Sequence, residues 1–518
     1  LVLGSFLIFT DLELYRAWGY RIDTTFLTYL SSPKEMTASV GNAPVIPIFL
    51  VFCLFLAAWI YFFKQKIMIF GEKPRKISAF LLSFLLTAAL ILPLRGGFQQ
   101  IPINQSSSYF SSIPFANHAA NNASWNFGNT AFLQDNEKIN PFIFFEKEKA
   151  DSLVRSLRRN DSSISILRPE VKQPNILIIV WESATAKIIE RLGGAKGVTP
   201  EFDKLSHEGI LFSNIYATGD RTDKGIVAVL SGYPAQATTS ILKTPRKTAS
   251  LPILSKDFKA NGYETFFFYG GEPEFANMKS YILNGEFEHT VFKNDFSKAD
   301  CNSKWGAYDH IVCNRVLQDL NQAKQPFFST FLTLTSHEPF ETPVPTAIEG
   351  KDEASLFLNA HHYTDASLGQ FIAHAKQQPW WNNTLVIILA DHGHRLPLSN
   401  SKVADFKIPM LWLGGALQDK DKVVEGIGSQ TDLAATLLQQ VAFKAKKDAY
   451  FASKDLFSNT GFAFFAFKNG FGLVQKDKNF VFDNVGKQFI EQTGNNTPQD
   501  IDEGKALEQV YFDDYIRR

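Results

Sequence analysis

Hydrophobic positions along this chain fall into three regimes. The first hundred residues carry long, unbroken apolar runs. Val45 to Phe63 reads VIPIFLVFCLFLAAWIYFF, and Ala79 to Leu94, from about Ile77, reads AFLLSFLLTAALILPL. Each is predicted to be a membrane-spanning helix, because roughly 20 apolar residues cross a bilayer. Leu1 to Thr10 is apolar but short, and the chain opens on Leu. It reads as the end of a further membrane helix that begins upstream. Between the two long runs lie Lys64, Lys66, Lys73, Arg75 and Lys76, whereas residues 11–44 mix both signs of charge. Positive residues stay on the cytoplasmic side. Residues 64–77 are therefore expected inside, and everything after about Arg95 outside, a multi-pass cytoplasmic-membrane protein.

The second regime is polar. Residues 96–135 are rich in Asn, Ser and Gln and read as an extended juxtamembrane connector with aromatic anchors at Tyr109, Phe110, Phe115 and Trp125. Residues 141–172 alternate charge at helical spacing and predict one amphipathic helix that turns near Pro169.

The third regime begins at about residue 173. Short apolar runs rich in β-branched residues alternate with helical stretches. Strands are predicted at Asn175–Val180, Ile210–Tyr216, Tyr263–Tyr269, Phe327–Thr335, Thr384–Ala390 and Pro409–Leu413. Helices are predicted at 200–209, 251–261, 352–376 and 432–441. Continuous apolar strands alternating with helices imply an α/β sandwich with a mainly parallel sheet. From Phe462 the pattern becomes an antiparallel meander around Asn469-Gly470, a hairpin signal, and the polar tail from about Gln488 ends in a short helix. The resulting organisation is 1–95 transmembrane helices, 96–172 connector, 173–445 catalytic domain, and 446–518 C-terminal antiparallel subdomain and tail.

Composition narrows the partners. Lys plus Arg and Asp plus Glu are 52 each, so the formal net charge is +0 and no basic footprint suggests nucleic acid. Phenylalanine is abundant, 48 of 518, and much of the apolar excess falls near the N-terminus. Cys53 lies in a membrane run; Cys301 and Cys313 fall in the exported part, where they could oxidise to a disulfide.

The candidate chemistry follows from where the strands end. In a parallel sheet, ligands bind beyond the carboxyl ends of the strands. The residues at those ends are Glu182, the turn Gly219–Thr222, Glu272, His337 and Asp391-His392. Glu182, Thr222, Asp391 and His392 form an oxygen and nitrogen ligand set suited to zinc, manganese or magnesium. Thr222 sits where an apolar helix starts, either as a simple N-cap or as a nucleophile beside free backbone N–H groups. Arg221 and Lys224 could hold phosphate oxygens, and His337 could bind substrate or protonate a leaving alkoxide. His394 and Arg395 could contact substrate or orient their loop.

The stretches NILIIVWES, TPEFDKLSHEGILFSNIYATGDRTDKGIVAVLSGYP, FFFYGGEPEFANMKSYI, FLTLTSHEPF, LVIILADHGH and QTDLAATLL together resemble the alkaline phosphatase/sulfatase superfamily. The resemblance is to its lipoteichoic acid synthase and phosphoglycerol transferase branch, over roughly residues 173–445. It implies a sulfatase-like fold and one divalent metal, most often manganese, on Glu182, Thr222, Asp391 and His392, with Thr222 as nucleophile and His337 at the substrate. It implies a phosphoglycerol group moved from a membrane phospholipid, through a phosphothreonine, to the hydroxyl of a glycan or lipid acceptor, by an exported domain that is a monomer. Two departures stand out. The stretch Glu272–Met278, which includes Asn277, offers no Arg where those synthases grip glycerol phosphate. Thr222-Asp223-Lys224-Gly225 also lacks the Cys or Ser, Pro and Arg pattern of sulfate ester hydrolases. A phosphoethanolamine transferase, a phosphodiesterase using water, and a metal-free binding module on the same fold remain as alternatives.

Overall fold

A computed structural model gives the fold. It describes residues 2–19, 21–22, 26–27, 44–67, 76–95, 114–133, 139–158, 164–243, 245–273, 278–443, 449–458 and 461–518. The expected loop through Lys73 and Arg75, the connector over 96–113 and the candidate Asn277 lie outside the described residues. The chain falls into two units. One is built from helices within Leu1–Asn136, and the other spans Glu137–Asn484 and Phe489–Arg518.

In the first unit, helices α1 (Val2–Trp18), α2 (Val45–Ile67) and α3 (Lys76–Arg95) follow the apolar runs. Within α2, Val45–Lys64 is long and apolar enough to cross a membrane, while the apolar part of α3, Ile77–Pro93, is shorter. Side chains such as Ile46, Leu54 and Ile77 are exposed. The region after residue 113 is not extended. It folds into two short helices, Pro114–Ala120 and Ala123–Leu133. Asn122 starts the second by accepting the Trp125 N–H at 2.9 Å. That helix is tied to α1 and its exit by Ser124 Oγ to the Gly4 carbonyl, 3.1 Å, and Asn126 Nδ2 to the Ile22 carbonyl, 2.9 Å.

The second unit is built on an eight-stranded sheet. Its strands are β1 (Asn175–Trp181), β2 (Ile210–Tyr216), β3 (Glu264–Tyr269), β4 (His289–Val291), β5 (Phe327–Leu332), β6 (Thr384–Ala390), β7 (Lys407–Leu413) and β8 (Lys422–Ser429). Their order is β4-β3-β5-β1-β6-β7-β2-β8. Only β7 runs against its neighbours, pairing antiparallel with β6 and β2. Central β1, β5 and β6 are buried along their whole length, which is why they are apolar runs rather than alternating ones. All parallel strands therefore deliver their ends to one edge.

The strands that the pattern missed are the short ones and those at the sheet edges. β4 has three residues, and β8, KVVEGIGS, is a largely exposed edge with two glycines. The predicted amphipathic helix over 141–172 is only Lys147–Leu157. Upstream of it the chain stays extended, because Gln509 accepts the N–H groups of Phe144 and Phe145 at 2.8 and 2.9 Å. Phenylalanines are core material here as well as near the N-terminus. Phe258 stacks on Phe328 at 4.5 Å, and Phe406 on Phe465 at 4.1 Å.

The meander forms a separate sheet of four strands, β9 (Phe462–Phe467), β10 (Gly470–Gln475), β11 (Lys478–Asp483) and β12 (Gln488–Thr493). The fourth strand was not anticipated, and the tail helix, Pro498–Arg517, is 20 residues rather than short. It buries Glu508, whose Oε1 accepts from Asn484 at 2.6 Å while Oε2 has no hydrogen-bond partner among the described residues. Burial pushes this carboxyl up to about 8 from an ordinary value near 4.5. The native state then holds a proton that the unfolded chain gives up between those two values, so stability declines as pH rises through that window. Glu508→Gln is expected to remove this dependence. Its melting temperature should exceed wild type by roughly 3 °C or more at pH 9 and match it at pH 4, measured by thermal unfolding.

A candidate metal-dependent active site

Three strand ends meet at one point. β1 runs into Glu182 and Ser183, β6 into Asp391 and His392, and β2 into the turn before helix α4 (Thr222–Ser231). Thr222 is the first helical residue, and Arg221, in extended conformation, occupies the cap position without a side-chain cap. The reading of Thr222 as an N-cap is thereby corrected. Its hydroxyl does not turn back to the helix but donates to Glu182 Oε2 at 3.0 Å.

Glu182 is 3 % exposed and Asp391 is fully buried. Glu182 Oε1 accepts from Ser183 Oγ at 2.8 Å. Asp391 Oδ1 accepts the backbone N–H groups of Ser183 and His392, both at 2.8 Å. Its other oxygen, Oδ2, is buried with no hydrogen-bond partner among the described residues. His392 Nδ1 lies 2.7 Å from the Gly393 carbonyl, so that nitrogen carries the proton. Nε2 then faces the carboxylates, 3.4 Å from Glu182 Oε1 and 3.6 Å from Asp391 Oδ2. Ligand atoms of Glu182, Asp391 and His392 all lie within 4.8 Å of one another. An orphaned carboxylate oxygen, a second buried carboxylate and an imidazole lone pair suit a divalent cation.

Electrostatics point the same way. Burial resists ionisation of Glu182, yet the hydrogen bond and charge of His392, with a further contribution from His337, draw its pKa below the carboxylate range. Burial and then the Glu182 charge push Asp391 well above it. Burial opposes the His392 imidazolium, but Asp391 and Glu182 raise it to about 10. In the metal-free site a proton and the His392 imidazolium offset the two carboxylate charges, and a cation would displace both.

Backbone packing holds the geometry. Ser183 adopts a positive φ of 58°, a conformation that non-glycine residues rarely take. Gly225 lets α4 press against the β6 end, since a Cβ there would lie 2.0 Å from the Asp391 carbonyl oxygen. Gln430, fully buried, donates to the Asp391 carbonyl at 2.7 Å and accepts the Thr218 N–H at 2.8 Å. It ties the β6 end to the turn that carries Thr222. Gln430 lies in QTDLAATLL, but no local pattern marks a glutamine as a brace.

The other candidates divide. Lys224 pairs with Asp220 at 2.9 Å. Burial would raise Asp220, but the charges of Lys224 and then Arg221 hold it below its ordinary value. His337 follows β5, with Nδ1 2.9 Å from the Glu338 carbonyl. Glu272, just past β3, is paired at 3.0 Å with Lys293, which comes from beyond β4. His394 stacks on Phe357 at 4.6 Å and accepts the Leu396 N–H at 3.1 Å. Arg395 is turned to Glu353. Cys301 and Cys313 are free thiols; Cys301 Sγ donates to the Lys293 carbonyl at 3.4 Å.

Residues 174–442, just over half of the chain, match the family model described as Sulfatase. The chain belongs to the sulfatase family. Within this family, part of the alkaline phosphatase superfamily, it is similar to several curated proteins. It is 22% identical to the lipoteichoic acid synthase-like YvgJ of Bacillus subtilis over 58% of this chain and 52% of that protein. It is 26% identical to phosphoglycerol transferase I of Xanthomonas campestris over 52% and 41%. The chain thus spans about half the length of the curated relatives it matches. Among solved structures, an alkaline phosphatase superfamily protein from Vibrio parahaemolyticus aligns with a TM-score of 0.63 at 26% identity, covering 72% of this chain and 97% of that one. The lipoteichoic acid synthase LtaP from Listeria monocytogenes has the same fold, with a TM-score of 0.59 at 17% identity over 71% and 98%.

Proposed function

We propose that this protein is a membrane-anchored, metal-dependent transferase that moves a phosphoglycerol-type headgroup from a phospholipid to an acceptor hydroxyl through a phosphothreonine. The observation that carries this reading is the Thr222 hydroxyl, at the first turn of α4, donating to Glu182 inside the buried Glu182–Asp391–His392 cluster. The names of the relatives, lipoteichoic acid synthase and phosphoglycerol transferase, support the substrate class. The exposed apolar helix Val45–Lys64 supports a membrane anchor, and the basic residues between the two apolar runs are the reason for placing the catalytic unit outside the cytoplasm.

A divalent cation, manganese foremost and zinc or magnesium as alternatives, would be held by Glu182, Thr222, Asp391 and His392, where it supplies Lewis acidity and lowers the hydroxyl pKa. The chain's own groups do the rest. Thr222 Oγ1 attacks the lipid phosphorus and its proton departs toward Glu182 Oε2. The P–O bond to diacylglycerol breaks, and His337 protonates the leaving oxygen. Backbone N–H groups at the start of α4, with Arg221 and Lys224, stabilise the added negative charge. In the second half, an acceptor hydroxyl gives its proton to His337 and attacks the same phosphorus, and Thr222 leaves with its proton restored. Thr222 is not a residue that converts to formylglycine, so sulfate ester hydrolysis is not part of this reading.

The test is incubation of the full-length protein, in vesicles, with headgroup-labelled phosphatidylglycerol or phosphatidylethanolamine, following diacylglycerol. Release from phosphatidylglycerol is expected. Release from phosphatidylethanolamine alone would assign a phosphoethanolamine transferase, and label appearing only as free glycerol phosphate would assign a phosphodiesterase.

A further inference from the structure

We propose that Trp305 is a positioning residue for His337, fixing the imidazole tautomer that leaves Nε2 for proton transfer at the catalytic edge. The proposal rests on the transferase reading above, in which His337 is the acid and base.

The Glu338 carbonyl has no proton to give, so His337 Nδ1, 2.9 Å from it, must be the donor. In the neutral ring this puts the lone pair on Nε2. The same carbonyl oxygen accepts the indole N–H of Trp305 at 2.7 Å. The indole also stands edge-on to the imidazole, with ring centroids 4.6 Å apart and an interplanar angle of 70°. One side chain thus touches both the ring and the acceptor that decides its tautomer. His337 lies close enough to Glu182 for their charges to interact, so the orientation of its ring matters at the cluster.

Trp305 is itself held. Ser303 Oγ donates to the Gly306 carbonyl at 2.7 Å, and the Ala307 N–H donates to the Gly270 carbonyl at 3.0 Å. Gly306 sits so near the end of β3 that a Cβ would lie 2.0 Å from the Gly270 oxygen. Helix α5 (Asp309–Leu320) then begins, and the buried Asp309 carboxylate accepts the N–H groups of Leu334 and Thr335 at 2.7 and 3.2 Å. The segment from Trp305 to Asp309 therefore grips the His337 loop on both sides, at Leu334 and Thr335 before the histidine and at Glu338 after it. Neither residue was singled out from sequence, since each acts on backbone atoms some 30 positions away.

Trp305→Phe keeps an aromatic ring, though a smaller one, and removes the N–H donor; because Trp305 is half-buried the substitution should lower the melting temperature by no more than about 4 °C. With phosphatidylglycerol vesicles, kcat is expected to fall about tenfold, a fraction of the acid–base contribution, with KM within about twofold. In a His337→Gln background, Trp305→Phe should have no further effect on kcat. An equal drop in both backgrounds would overturn the proposal. Imidazole 15N spectra of histidine-labelled protein test it without turnover: the His337 signals, assigned by their loss in His337→Gln, should report a proton on Nδ1 in wild type and a mixture of tautomers in Trp305→Phe. Identical spectra would overturn the proposal. Absence of wild-type turnover with any lipid donor would instead contradict the transferase reading, leaving the spectra to decide the role of Trp305.

Discussion

Thr222→Ala is expected to lower transfer by at least about 10⁴-fold, the scale lost when a covalent nucleophile is removed, while the protein melts where wild type does. Both halves of this expectation come from the same geometry. Arg221, not Thr222, occupies the cap position of α4, so alanine costs the helix no cap. The hydroxyl's hydrogen bond goes to Glu182 Oε2, within the cluster rather than within the helix. Removing it leaves the carboxylates, the imidazole and the helix N-terminus in place and deletes the attacking oxygen, which is also one of the four proposed cation ligands, so unfolding is compared with manganese in excess. Vesicle assays of diacylglycerol release, paired with thermal unfolding, check the result. Turnover near wild type would mean that another nucleophile serves.

Removal of divalent metal should have a comparable effect on activity and, unlike Thr222→Ala, a visible effect on stability. Chelation is expected to reduce turnover below detection and to lower the melting temperature by roughly 5 °C or more. Manganese should restore both. The reason is the fully buried Asp391 with an unpartnered Oδ2, beside Glu182 and His392. Without a cation, burial and the Glu182 charge disfavour its ionised form. Asp391→Asn removes that conflict together with a ligand. The variant should be inactive, should melt higher than chelated wild type, and should not respond to manganese. A chelated wild type that melts unchanged would show that the cluster holds no stabilising cation.

Much of this architecture was legible because its signals are local. β1, β5 and β6 are buried on both faces and appear as apolar runs, and their ends locate Glu182, His337 and Asp391 on one edge without any knowledge of contacts. What was not legible depends on distant atoms. β4 and β8 have little apolar signal of their own, and they exist because β3 and β2 offer them edges. The helix predicted over 141–172 yields at its start to Gln509, more than 350 residues away. Gln430, Asp309 and Trp305 act on the backbone of other segments, so their residue types carry no motif. Arg395 and His394, by contrast, look chemical beside Asp391-His392, yet Glu353 and Phe357 engage them.

The central claim is that Thr222 carries the headgroup between donor and acceptor. It is tested most directly by incubating the full-length protein with phosphatidylglycerol labelled in its headgroup, withholding acceptor, quenching in acid and locating the label by peptide mass spectrometry. The account predicts a glycerophosphoryl group on Thr222, lost when acceptor is added and absent from Thr222→Ala. Turnover of the same lipid with no adduct, or with an adduct on any other residue, would contradict it.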